Sequence, residues 1–212
     1  MQTIVLLACL ALLLWVEPAS AQKEYSLTVS IHQAVQPRLT EKVVEGILKR
    51  ASKLLQKDPG HLDRPNNVKC NVTFKLDGPV RTFALPSTPK AIQNEDQLEA
   101  VHRESADVKI VESINFCKKY SSKGFIGCSW RRDGPKTMIV TPSLGIAHIL
   151  WAHEFGHTAG LQHRVDDPAA LMTPCDLFYD SVKINDDECG CFVGGPGYCS
   201  IPDTDLVCTE TR

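Results

Sequence analysis

The chain has 212 residues, 43% of them hydrophobic, and carries 23 Lys and Arg against 25 Asp and Glu. An N-terminal export signal is predicted over residues 1–21; it takes Glu17 and no Lys or Arg with it, so the formal charge moves from −2 to −1 over the 191 residues from Gln22. That length suits one domain with a sizeable core, and the near-neutral balance excludes the basic footprint of a nucleic-acid or anionic-membrane binder.

The signal rests on Ile4 to Val16, an apolar run of 13, followed by Ala19-Ser20-Ala21 as a small-x-small cleavage site. A transmembrane helix needs about 20 apolar residues, which weighs against the alternative of an uncleaved anchor. From Glu24 the residues Tyr25, Leu27, Val29 and Ile31 alternate as in a half-buried strand, broken by Pro37. Thr40 is the predicted N-cap of a helix running to about Gln56. Its residues Val43, Val44, Ile47, Leu48, Ala51, Leu54 and Leu55 form one core-facing stripe. Asp58-Pro59-Gly60 closes this unit.

A second strand is predicted over Val68–Leu76. Asn71-Val72-Thr73 is an N-glycosylation sequon, so Asn71 is a candidate glycan acceptor, with an unmodified asparagine as the alternative. Residues 86–97 read as a loop, Glu95–Glu104 as a short helix and Asp107–Asn115 as a strand. Thr137–Thr141 is a short apolar strand, after which Ser143 is the predicted cap of a helix whose Ile146, Ile149 and Leu150 face inward.

Without Cys9 the exported chain has eight cysteines: Cys70, Cys117, Cys128, Cys175, Cys189, Cys191, Cys199 and Cys208. An even number in an exported chain points to disulfides in an oxidising compartment. Free thiols or a thiolate metal site are the alternatives, although Cys189-Gly190-Cys191 lacks CxxC spacing. One pairing is predicted, Cys117 with Cys128, closing a polar, glycine-containing excursion. Lys118, Lys119, Lys123, Arg131 and Arg132 in and after that loop read as solvated charge, or alternatively as steering for acidic substrates.

The stretch around which the chain is organised is His153-Glu154-Phe155-Gly156-His157-Thr158-Ala159-Gly160-Leu161-Gln162-His163. It reads HExxHxxGxxH. Four residues carry a helix through little more than one turn, so His153 and His157 share a face and can hold one metal ion. Gly160 can adopt the left-handed conformation that ends a helix, and His163 can then return as a third ligand. Three protein ligands leave an open position, which is the arrangement of a catalytic zinc. Glu154 is placed to reach water there.

This motif, with Met172 following in Ala170-Leu171-Met172-Thr173-Pro174, resembles the metzincin zinc peptidases. The local wording is most similar to the matrixins, whose HEFGHxxGLxH and ALMxP are echoed here, although Arg164 stands where matrixins usually carry Ser. The resemblance covers about residues 137–174 in motif and 24–192 in element order. It implies an α+β fold with a mixed, twisted sheet, two long helices above a cleft and a small disulfide-stapled lower part. Residues 22–188 would be the peptidase domain and 189–212 its cysteine-rich extension, with Asn185–Phe192 as a closing helix.

The resemblance further implies one catalytic Zn2+ on His153, His157 and His163, and Glu154 as base and then acid in peptide hydrolysis. Met172 would form a packing floor beneath the metal. Pro174 occupies the position where some metzincins place a tyrosine, so no second electrophile is expected. A substrate peptide would bind as an added strand bordered by Asp107–Asn115 and Gly124–Trp130, with Leu177, Phe178 and Tyr179 walling the S1′ pocket. His32, His61, His102 and His148 are expected to be non-ligands. Asp166 and Asp167 read as a solvated loop, or alternatively as acceptors bracing a ligand.

No prodomain is expected between Gln22 and His153, and no PRCGxPD cysteine switch is present, so the expectation is an enzyme with no built-in latency, or one held by a separate inhibitor. The resulting expectation is a monomeric, secreted (or periplasmic) zinc endopeptidase acting on protein or peptide substrates, without stable membrane association. Two other classes compete. One is a catalytically silent, disulfide-rich binding protein that retains the zinc site; the other is a zinc exopeptidase, which would need a group to hold a free terminus.

Overall fold

In a computed structural model, which describes residues 22–35, 39–58, 67–84, 90–117, 120–129, 137–143, 145–174 and 177–199, the alternating run after Gln22 forms two strands instead of one. They are β1 (Lys23–Leu27) and β2 (Val29–His32). Thr28 separates them: its amide and hydroxyl both donate to Asp107 Oδ2, at 2.7 and 2.6 Å, and the Asp107 amide returns to Thr28 Oγ1 at 3.0 Å. Side chains that capture backbone groups in this way interrupt a ladder. As a result β1 pairs with β3 (Val72–Leu76) and β2 with β4 (Arg81–Phe83), both in parallel.

The helix predicted after Thr40 is α1 (Glu41–Leu55), with Thr40 and Gln56 as its caps. Val44, Ile47, Leu48, Ala51 and Leu55 are buried, with Val43 and Leu54 at the rim of the same cluster. Ser52 lies in that stripe and ties the helix to the sheet: its hydroxyl donates to Leu48 O at 2.8 Å and accepts from the Phe74 amide at 2.8 Å. The strand expected from Val68 starts only at Val72. Ahead of it the Val68 amide goes to Ile184 O and the Cys70 amide to Leu55 O, so these residues leave the ladder. Asn71 sits half-buried just before β3, its carbonyl accepting from the Lys23 amide.

The expected loop over 86–97 contains a two-residue strand, β5 (Ala91–Ile92). Asn94 then caps α2 (Glu95–His102) by accepting from the Gln97 amide at 3.0 Å. The strand expected over Asp107–Asn115 also divides, into β6 (Val108–Ile110) and β7 (Ser113–Cys117). Between them the Glu112 amide turns to Lys90 O, and the chain passes from one sheet to another. After β7 come β8 (Tyr120–Phe125), β9 (Gly127–Ser129) and β10 (Met138–Val140).

The principal sheet has the order β4-β2-β6-β10-β9, with β9 antiparallel at its edge and its neighbours parallel to one another. The second, β5-β7-β8, is mixed. Period-two alternation divides the core. Val29, Ile31, Val108, Ile110, Met138 and Val140 face a cluster containing α1 and the metal-motif helix, whereas Cys128 and Ile139 face one built with Leu98, Val101 and Ile114. Lys109 also lies on the second face, 0% exposed, its ammonium donating to the carbonyl of His102 at the end of α2, at 3.1 Å. Cations are favourable at a helix C-terminus.

The motif helix is α3 (Ala147–Thr158). Ser143 does not cap it, contrary to expectation. Ser143 Oγ lies 3.0 Å from Thr141 Oγ1, and the Gly145-Ile146 turn makes Ile146 the N-cap. Except for half-buried His148, α3 is buried on every side, as a helix at the centre of a domain must be. The last helix, α4 (Asp186–Gly194), is capped by Asn185 in a reciprocal box with Glu188 and runs across the 188/189 boundary.

The predicted Cys117–Cys128 disulfide is present, together with Cys70–Cys189 and Cys191–Cys199. Cys70–Cys189 spans 119 residues, a loop whose closure is worth about 5 kcal/mol in the chain-entropy account. Four helices among the described residues, with parallel and antiparallel pairing, make the fold mixed α and β, in agreement with the α+β expectation. No described helix is long and apolar enough to cross a membrane. The signal segment, Pro37, His61, Lys118, Lys119, Trp130, Arg131, Arg132, Cys175, Cys208 and the end of the tail lie outside the described residues.

Candidate metal centre

The i, i+4 spacing places His153 and His157 on one face of α3, with ring centroids 4.6 Å apart. The opposite face carries Phe155, whose ring packs 4.9 Å from Tyr25, 4.8 Å from Phe74 and 6.3 Å from Phe192. This aromatic contact sets the rotation of the helix, and therefore the direction in which both imidazoles point.

Termination of α3 delivers the third histidine. Gly160 has φ +97°, a conformation that a side chain disfavours. The Gly160 amide bonds to His157 O at 3.1 Å and the Leu161 amide to Gly156 O at 2.9 Å. These are the two bonds of a Schellman motif. The chain then turns back, and His163 Nε2 comes within 3.1 Å of His157 Nε2, which is itself 3.0 Å from His153 Nε2. One ligand nitrogen from each residue lies within 4.8 Å of the others.

The outward nitrogens fix the tautomers. His153 Nδ1 lies 2.7 Å from Leu171 O and His157 Nδ1 2.9 Å from Leu161 O. A carbonyl only accepts, so each Nδ1 carries a proton, and in the neutral imidazole each Nε2 then presents a lone pair. Two lone pairs 3.0 Å apart repel unless a cation lies between them. Zinc–nitrogen bonds of about 2.0–2.1 Å in tetrahedral array set nitrogens about 3.3 Å apart, close to the spacing here. The donor set therefore fits a metal ion, and imidazole ligands suit zinc, copper, iron and nickel.

Met172 packs against α3 at Gly156. It is 0% exposed, and its Sδ would be 2.5 Å from a Cβ at Gly156, so the helix and the turn carrying Met172 meet where no side chain intervenes. That turn meets the chain at two of the three histidines. Leu171 O orients His153, and Met172 O accepts from the Arg164 amide, next to His163, at 2.7 Å. Arg164 in turn reaches Glu188 Oε2 at 3.1 Å and Lys183 O at 3.3 Å. Burial pushes the Glu188 carboxyl above its usual range, against the pull of the Asn185 amide and the Arg164 guanidinium.

Glu154 is 4% exposed. Its Oε2 accepts from Ser129 Oγ at 2.5 Å, and that hydroxyl is also 3.0 Å from the Glu154 carbonyl oxygen. Asp166 lies beside Arg164 Nε at 3.9 Å, and Asp167 accepts from the Ala169 amide and pairs with Lys183 at 3.4 Å. Burial works to raise Asp167, but the amide and Lys183 outweigh it and hold the carboxyl below its usual range.

The remaining described histidines lie elsewhere. His32 packs edge-on against Phe83, His102 contacts Thr137 Oγ1, and His148 is half-buried on α3. A cavity of about 490 Å³ lined by Thr28, His102, Asp107 and Thr137, among others, shares no residue with the histidine cluster. Beyond Met172, Leu177 is half-buried against the core, whereas Phe178 and Tyr179 are exposed.

Four residues that hold the site together are not among those singled out from the sequence: Leu161, Leu171, Ser129 and Glu188. Leu161 and Leu171 act through backbone carbonyls, which leave no trace in residue type. Ser129 could have been found from Gly127-Cys128-Ser129, where strand alternation turns Gly127 and Ser129 away from the disulfide face. Glu188 was legible as Asn-x-x-Glu, a capping-box spacing. No family model matches this chain, and the search of curated proteins returns no match.

Proposed function

We propose that the chain is a secreted zinc endopeptidase of metzincin type. The observation that carries this reading is the convergence of three imidazole Nε2 atoms, two from α3 and one from the chain beyond its glycine turn, with the buried Glu154 next to His153 in the chain. When bound there, zinc supplies Lewis acidity to a carbonyl oxygen and brings the pKa of water toward neutrality.

The chain's own residues do the rest. Glu154 holds Oε2 on Ser129 and uses Oε1 to take a proton from the attacking water, then returns it to the leaving amine nitrogen. The Leu171 and Leu161 carbonyls keep His153 and His157 in the ligating tautomer. An extended peptide adds to the sheet at β9, whose outer side is the edge of the principal sheet. Leu177, Phe178 and Tyr179 are assigned to the S1′ wall. Three disulfides are compatible with an extracellular site of action.

The test is Glu154→Gln in the mature, oxidised protein. Peptide cleavage is expected to vanish while zinc stays bound at one ion per chain. Cleavage retained in that variant would remove Glu154 from the mechanism.

A further inference from the structure

We infer that Gly127 and Ser129 of the edge strand β9 form a built seat for the Glu154 carboxylate, and that they are positioning residues for the proposed reaction. This rests on the assignment of Glu154 as the proton-transfer group. A strand sends alternate residues to opposite faces, so Gly127 and Ser129 share the face turned to α3. Cys128, between them, faces the other way, 3% exposed and bonded to Cys117 of β7. The three residues are in register with Val140, Ile139 and Met138 of β10. The strand is thus pinned from behind by a disulfide and from the side by a ladder.

On the α3 face the fit to Glu154 is close. A Cβ on Gly127 would overlap Glu154 Oε1 and lie 2.5 Å from its Cδ and 2.8 Å from its Cγ. Any side chain at 127 therefore evicts the carboxylate from its present rotamer. Ser129 supplies the complementary hold, through its hydroxyl on Oε2 at 2.5 Å and near the main-chain oxygen of the same residue at 3.0 Å. Absence of a side chain at one position and a donor at the next but one together select a single orientation. A hydrogen bond to a charged acceptor is among the stronger ones available. Because β9 is also the proposed substrate-binding edge, one strand sets both the peptide and the group that acts on it.

The experiment compares wild type, S129A, S129T and G127A, each loaded with zinc. We expect zinc to remain at one ion per chain, KM to stay within about twofold, and kcat to fall by about 10- to 100-fold in S129A and G127A, the scale of small misplacements of a reacting group. S129T keeps the hydroxyl and is expected to retain most of kcat. Crystal structures of S129A and G127A are expected to show the Glu154 carboxylate displaced from β9. Three results would overturn the proposal: wild-type kcat in S129A, loss of zinc in parallel with kcat, or an unmoved carboxylate in both crystal structures. If the wild type itself shows no chelator-sensitive cleavage, the endopeptidase reading fails instead. The displaced or unmoved carboxylate then still decides whether the seat exists.

Discussion

Replacing Gly160 by alanine perturbs the joint between the metal helix and the chain that returns His163. Gly160 has φ +97°, and a Cβ there would overlap the carbonyl oxygen of Cys199 and lie 2.6 Å from its carbon. That neighbour is backbone, so the strap around residues 195–199 has to move. Its contacts with the helix end are the Gly197 amide on Thr158 O at 2.7 Å and the Cys199 amide on Ala159 O at 2.9 Å. An L-residue in the left-handed region costs about 1 kcal/mol and each net hydrogen bond about 1 kcal/mol, giving about 3 kcal/mol in all. In a domain of this size that lowers Tm by roughly 6–12 °C. The assay is thermal unfolding of the oxidised protein followed by circular dichroism, in excess chelator so that metal binding does not contribute. A zinc competition titration runs in parallel, because Leu161 O, which orients His157, sits on the same turn. A stability loss below about 1 kcal/mol, with unchanged zinc affinity, would mean that the Gly160 turn and the 195–199 strap do not hold the helix end in this way.

Further outcomes follow from other parts of the molecule. Arg164→Ala strands the Glu188 carboxylate, whose side chain is 7% exposed, and is expected to cost about 3 kcal/mol in urea unfolding; adding Glu188→Gln should recover part of that loss. His163→Ala should lower zinc affinity by more than the roughly 10- to 100-fold that outer partners of a ligand contribute, read by competition with a chromogenic chelator. Burial, then the Lys109 charge, lowers the His102 pKa to about 3. The unfolded chain therefore binds more protons between about pH 6.5 and 3, and stability falls on acidification by up to ~1.4 kcal/mol per pH unit. Urea titrations from pH 7 to 4 should lose this component in His102→Gln. Burial also lowers Lys109 to about 8, against Asp107 and Glu104, which raise it. Its contribution makes stability rise with pH between about 8 and 10.4, and Lys109→Met should remove that rise.

How much of this was legible in the sequence differs by element. The α1 stripe and the HExxHxxGxxH spacing are periodic signals carried by residue type, and the structure places both where periodicity puts them. The Cys117–Cys128 pairing followed from the loop they bracket. What escaped depends on contacts distant in sequence. Thr28 divides a strand because Asp107 captures its amide. Val68–Cys70 stays out of the ladder because its partners come from residues 184 and 55. Ser143 loses the cap to a turn at Gly145-Ile146, its hydroxyl lying against Thr141 Oγ1 instead. At the site, the three histidines were visible from their spacing and most of the groups that hold them were not: carbonyl acceptors carry no residue signature, and Ser129 meets Glu154 only through sheet–helix packing.

The measurement that bears most directly on the central claim is cleavage of a mixed peptide library by the mature, oxidised protein, with and without a zinc chelator, alongside its metal content. A zinc endopeptidase gives one zinc per chain and internal cuts that disappear with chelation and return when zinc is restored. One tightly bound zinc with no cuts at any library position would contradict it and favour a binding protein that keeps the site without turnover.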